Sequence, residues 1–162
     1  MMDTKVILRW FSGELIERME AKGVTHRQLA FNSRTMPHNI MEYMRASSFP
    51  NPWTLTLIAD YLDCTIDELL GYEDTSFIRK RKRESLFSKY PSEDSFTPYL
   101  RERIIQQMNK QNMTTEILAQ RSGVNLQTIN RYLCVHSGMP RLAMLLRICD
   151  AFECTPSELI GY

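Results

Sequence analysis

Apolar residues recur every fourth position near the start of the chain, at Phe11, Leu15 and Met19, and again far downstream at Leu100, Ile104 and Met108. Spacing of this kind lays one apolar stripe along an amphipathic helix. Thr25-x-x-Gln28 then reads as a capping box, and Thr114 offers the same hydroxyl cap without the reciprocal Gln. Each opens a second, short helix ending near Ser33 or Ser122. A third helix follows a tight corner, with Pro37 in its first turn in one case and Asn125 as its cap in the other. Its buried side is Ile40-Tyr43-Met44 or Ile129-Tyr132-Leu133. A fourth begins after Asn51-Pro52, with Leu55, Ile58, Ala59 and Leu62 inward, and around Pro140, with Leu145, Ile148, Cys149 and Phe152 inward. Capping boxes at Thr65-x-x-Glu68 and Thr155-x-x-Glu158 announce a fifth, which Gly71 or Gly161 ends; Pro156 suits its first position. No stretch alternates long enough to predict a strand.

The same pattern thus occurs twice. Shifting the chain by about 90 residues superposes Cys64-Thr-Ile-Asp-Glu-Leu-Leu-Gly71-Tyr72 on Cys154-Thr-Pro-Ser-Glu-Leu-Ile-Gly161-Tyr162, with one extra residue between Ser137 and Pro140 keeping the register. An internal repeat decides architecture before any single residue does. The expected organisation is one domain over residues 1–72, a linker over 73–98 and a second domain over 99–162. The linker carries the basic run Arg79-Lys-Arg-Lys-Arg83, flanked by Phe77-Ile78 and Leu86-Phe87, and its stretch from Ser88 to Pro98 reads as loop. The apolar flanks suggest a short helix, and the run is either a solvated surface or an arm along a sugar-phosphate backbone.

Composition narrows the function classes. The 162 residues carry a net charge of only +1, which hides a local pattern. Between Lys22 and Asn51 the sole carboxylate is Glu42 against Lys22, Arg27, Arg34 and Arg45; between Lys110 and Leu142 it is Glu116 against Lys110, Arg121, Arg131 and Arg141. The middle of each repeat is basic, and acids gather in the first and last helices. No apolar run suits a bilayer and no basic-then-apolar leader opens the chain, so a cytoplasmic protein is expected. Cys64 and Cys154, at equivalent positions, read as small core residues rather than disulfide partners. Cys134, His136, Cys149 and Cys154 match no zinc-finger spacing. No nucleophile motif, glycine-rich phosphate loop or carboxylate pair beside a histidine is present, so no enzyme, metal, cofactor or small-molecule ligand is expected.

The segment Thr114-Thr-Glu-Ile-Leu118-Ala119-Gln-Arg-Ser-Gly123-Val124-Asn125-Leu-Gln-Thr-Ile129-Asn-Arg-Tyr132 has the parts of a helix pair about a sharp corner. Ala119 allows close approach, Gly123 admits positive φ, and Val124, Ile129 and Tyr132 wedge the helices together. This resembles the helix-turn-helix of the Cro and phage-repressor (lambda-repressor-like) family, and the resemblance extends over nearly all of both repeats. It implies an all-α fold of two tandem five-helix helix-turn-helix domains. The first copy departs at the corner, where Arg34 replaces the glycine, and at Met36 in place of a cap.

In that family the third helix enters the major groove, and the start of the second helix and the following loop hold phosphates. The resemblance therefore assigns base contacts to Asn125, Leu126, Gln127, Asn130 and Arg131, and phosphate contacts to Thr115 and Arg141. Gln127 suits adenine, Arg131 guanine and Leu126 a thymine methyl. The matching positions of the first copy are Met36, Pro37, His38, Met41 and Glu42, with His26 and Arg45 nearby. They make a poorer reader, since methionine carries no donor code and Glu42 repels phosphate. Sequence-specific duplex DNA binding mainly through the second repeat, with the first a second, weaker head or a partner surface, by a bacterial or phage transcriptional regulator, is the expected function. Oligomerisation as a homodimer, a protein partner or abundance would regulate it. The competing expectation is an interaction protein that keeps this fold and uses one or both helix-turn-helix faces for protein contacts.

Overall fold

A computed structural model describes residues 3–72 and 89–162, and the chain divides into two compact units, Met1–Ser76 and Phe77–Tyr162. The basic run and its apolar flanks lie outside the described residues. In the first unit the helices are α1 (Thr4–Lys22), α2 (His26–Asn32), α3 (Pro37–Met44), α4 (Pro52–Tyr61) and α5 (Ile66–Leu70). In the second they are α6 (Glu93–Lys110), α7 (Thr115–Ser122), α8 (Leu126–Leu133), α9 (Leu142–Phe152) and α10 (Pro156–Ile160). Among the described residues there is no strand, and no helix is long and apolar enough to cross a membrane.

Local chemistry sets the boundaries. Thr25, Thr65 and Thr155 each complete a capping box, and Thr114 accepts from the Ile117 amide as a simple cap. Asn51 accepts from the Thr54 amide at 2.8 Å to start α4, and Asn125 accepts from the Gln127 amide at 2.8 Å to start α8. Gly71 and Gly161 end α5 and α10 in the left-handed conformation at φ 75° and 82°.

Packing follows the same plan in both units. The first helix meets the third and fifth, the second meets the third and fourth, and the fourth meets the fifth. Phe11, Leu15, Leu29, Ile40, Leu55, Ile58, Ile66 and Leu69 are fully buried in one core; Phe96, Leu100, Leu118, Ile129, Leu145, Phe152 and Ile160 are buried in the other. Helix α4 is enclosed on almost every side, since Pro52 through Ala59 are all buried. Tyr43 is buried at the α3–α1 contact, its ring 6.2 Å from that of Phe11. Met44, Tyr132 and Leu133, expected inward, are only half-buried. Cys64 is buried and desolvation pushes its thiol up to about 12. Its counterpart Cys154 is half-buried, so the core role expected for it holds only in the first unit.

The loop expected through Pro98 is instead helical from Glu93 onward. Ser92 caps α6, its hydroxyl accepting from the Ser95 amide, and Phe96 brings this extension into the core at 1% exposure. A proline inside a helix removes one bond to the residue four earlier. Here Glu93, Asp94 and Pro98 are all exposed, and the helix runs on through Pro98.

Each unit also closes its fifth helix with an aromatic on the terminal glycine. A Cβ added at Gly71 would lie 2.7 Å from the Trp10 ring, and one at Gly161 would lie 2.9 Å from the Tyr99 hydroxyl, which donates to the Ile160 carbonyl at 2.5 Å. Gly71→Ala is expected to cost the first unit at least about 1 kcal/mol, from the left-handed backbone alone, and to shift Trp10 emission as the ring is displaced. Urea unfolding followed by tryptophan fluorescence measures both; an unchanged midpoint and spectrum would contradict this packing.

Candidate nucleic-acid interface

The helix pair α7–α8 presents the residues that the sequence singled out. Ser122 donates to the Leu118 carbonyl at 2.6 Å and accepts from the Val124 amide at 3.2 Å, closing the end of α7. Gly123 then turns the chain at φ 63°. With Ile129 buried at 1% exposure, the opposite side of α8 faces outward, and Gln127, Asn130 and Arg131 all lie exposed there. Positions separated by three and four residues share a face, so an amide pair and a guanidinium form one row on a helix without a carboxylate. Asn125 is exposed too, with its side-chain oxygen committed to the cap. Leu126 is half-buried and Thr115 is half-buried at the first position of α7. Arg141 is exposed at the cap of α9 and makes no cap bond there.

Two side chains that carry no sequence signal hold this arrangement. Arg147, from α9, donates to the Ser122 carbonyl at 3.1 Å and to the Gly123 carbonyl at 2.8 Å, clamping the corner and placing a cation at the negative end of the α7 dipole. Arg101, from α6, donates to the Tyr132 and Ser137 carbonyls, each at 3.2 Å, and so fixes the end of α8 and the loop after it. Glu116 sits in the first turn of α7. Its own backbone amide and the Thr114 hydroxyl hold its carboxyl below the usual carboxylate range. It is therefore ionised at the helix terminus that the resemblance assigns to phosphate. Regular spacing reveals none of these roles, since each is a contact between segments distant in the chain or a competition at a cap.

The first unit builds the same corner from different residues. Ser33 donates to the Leu29 carbonyl at 2.6 Å, and the Thr35 amide donates to the Ala30 carbonyl at 3.0 Å. Arg34 adopts the left-handed conformation at φ 50°, with its guanidinium 5.5 Å from the centre of the buried Trp53 ring. The place of Arg147 is taken by Leu57, which is buried. On the outward side Met36 is 59% and Met41 37% exposed, His38 and Arg45 are exposed, and Pro37 and His26 are half-buried at the first positions of α3 and α2. Glu42 pairs with Arg45 at 3.6 Å.

Elsewhere, Cys134 is exposed with its thiol against the Asn130 carbonyl at 3.2 Å while Cys149 is buried, so these cysteines share no site. Among the described residues no cluster of three His, Cys, Asp or Glu side chains is arranged to hold a metal ion.

Residues 103–162 match the model of the Cro/C1-type HTH DNA-binding domain, from within α6 to the last residue. The second unit therefore contains one Cro/C1-type HTH domain, and α7 and α8 are its helix-turn-helix. Neither the curated proteins nor the solved structures contain a match to the chain.

Removing the clamp tests this construction. Arg147→Met is expected to destabilise the second unit by about 1–3 kcal/mol, the range for hydrogen bonds to a charged group. Amide exchange at Gly123 and Val124 should accelerate, while exchange at Arg34 and Thr35 in the first unit is unchanged. Equal protection in the variant would show that the corner does not depend on the guanidinium.

Proposed function

We propose that the protein is a DNA-binding transcription regulator whose second unit reads duplex DNA with α8. The observation that carries this is the exposed row Gln127, Asn130 and Arg131 on a short helix with no acid, set at the far side of a clamped corner. In the major groove, Gln127 has the donor–acceptor pair to read adenine and Arg131 the fork to read guanine; the Asn125 amide and Leu126 flank them at the start of the helix. Thr115 and Arg141 approach phosphates on either side. The shared packing plan of the two units supports a tandem arrangement of helix-turn-helix domains. The exposed methionines on α3 favour a second reading for the first unit, contact with protein.

Affinity for a selected duplex is expected to fall at least tenfold between about 50 and 200 mM salt, since several phosphates are neutralised. Gln127→Ala and Arg131→Ala should each cost about 1–3 kcal/mol and relax preference at one base position. Arg141→Ala should weaken all sequences alike and flatten the salt slope by about one. Glu116→Gln should tighten binding to every sequence, because it removes a charge from the phosphate field. Salt-independent binding, or loss of specificity through His38→Ala with Gln127→Ala and Arg131→Ala silent, would overturn the assignment.

A further inference from the structure

The two helix pairs offer matched positions with opposite chemistry. Gln120, Asn125 and Asn130 of the second unit correspond to Phe31, Met36 and Met41 of the first. Each of the latter is exposed, at 85%, 59% and 37%. The Thr35 amide bond to the Ala30 carbonyl folds the corner so that the chain entering Met36 returns beside the last turn of α2, where Phe31 stands. Single exposed apolar residues on a soluble surface need no explanation, whereas three grouped about one corner mark a contact site. Their rim is cationic. Arg27 lies one turn before Phe31 and Arg45 one turn after Met41, both exposed, and Arg34 is exposed at the corner between them. Glu42, the one acid between Lys22 and Asn51, pairs with Arg45, so that pair adds no net charge and the rim is basic through Arg27 and Arg34.

We propose that the α2–α3 face of the first unit is a docking site for a protein partner that presents an acidic amphipathic segment, with apolar anchors on one side and carboxylates flanking them. An apolar centre inside a basic rim is complementary to that chemistry. Methionine side chains adapt to the shape of such anchors, as flexible, polarisable groups do. A second copy of this face fits badly, because it would oppose arginine to arginine. Base edges fit badly too, because neither Phe31 nor the two methionines can donate or accept a hydrogen bond. The proposal rests on the reading that this helix pair meets protein. It is independent of DNA reading by α8.

The test is selection of random peptides displayed on phage against the full chain, followed by titration of a synthesised winner. Winners should carry aromatic or leucine residues at helical spacing with Asp or Glu beside them, and their binding should weaken as salt rises. Met36→Asn combined with Met41→Asn, which installs the residues of the second unit, should reduce peptide affinity at least tenfold. Phe31→Gln should do so several-fold, with the thermal midpoint of both variants unchanged. Gln127→Ala should leave peptide binding intact. Enrichment of basic peptides, no enrichment, or winners indifferent to these variants would overturn the proposal. So would a tenfold loss of affinity for a selected DNA duplex in the Met36/Met41 variant. If instead Gln127→Ala and Arg131→Ala leave DNA binding unchanged while the peptide results hold, the DNA reading fails and the docking site stands.

Discussion

Each unit depends on one residue held in the left-handed conformation at the corner between its second and third helices. If that residue relaxed to ordinary φ, the third helix would leave its seat and Ile40 or Ile129 would lose its burial. The two corners meet the constraint differently. Gly123 adopts φ 63° without steric cost, and an arginine from α9 anchors its carbonyl. Arg34 carries the strain of a side chain at φ 50° and stacks its own guanidinium on a buried indole. A left-handed non-glycine residue costs about 1–2 kcal/mol, and an arginine over tryptophan returns about 0.5–2 kcal/mol. The stack is thus of the size needed to offset the strain.

With the corners fixed, the outward sides of the third helices are free to diverge, because their inward sides alone maintain the fold. The inward residues Ile40 and Tyr43 match Ile129 and Tyr132 almost unchanged, while outward Met36, His38, Met41 and Glu42 stand where the second unit has Asn125, Gln127, Asn130 and Arg131. The first set has two methionines beside a histidine and a carboxylate; the second has three amides and one guanidinium. Two helix pairs that share a packing plan thus present different outward chemistry.

Much of this was legible in the sequence because it is local. Capping boxes, four-residue apolar spacing and terminal glycines report contacts within one or two turns, and the helices opened by Thr25, Thr65, Thr114, Asn125 and Thr155 begin where those signals place them. Helix α6 starts earlier because Pro98 reads as a stop, yet Phe96 contributes enough buried surface to continue through it. The residues of the α8 row come from the resemblance to the repressor family, and Gln127, Asn130 and Arg131 are exposed opposite the buried Ile129. The roles of Arg147 and Arg101 were not legible, since each acts on backbone many residues away and no spacing encodes such a partner. Cys154 misled for a related reason: its equivalence to Cys64 fixed its place in the chain and not how far the surrounding helices close over it.

The most direct check on the division of labour is amide chemical-shift mapping of the full chain against a selected DNA duplex at moderate salt. Shifts should concentrate on Thr115 and on Asn125 to Arg131, extend to Arg141, and spare Met36 to Met41. Perturbation centred on α3, with α8 silent, would contradict the account.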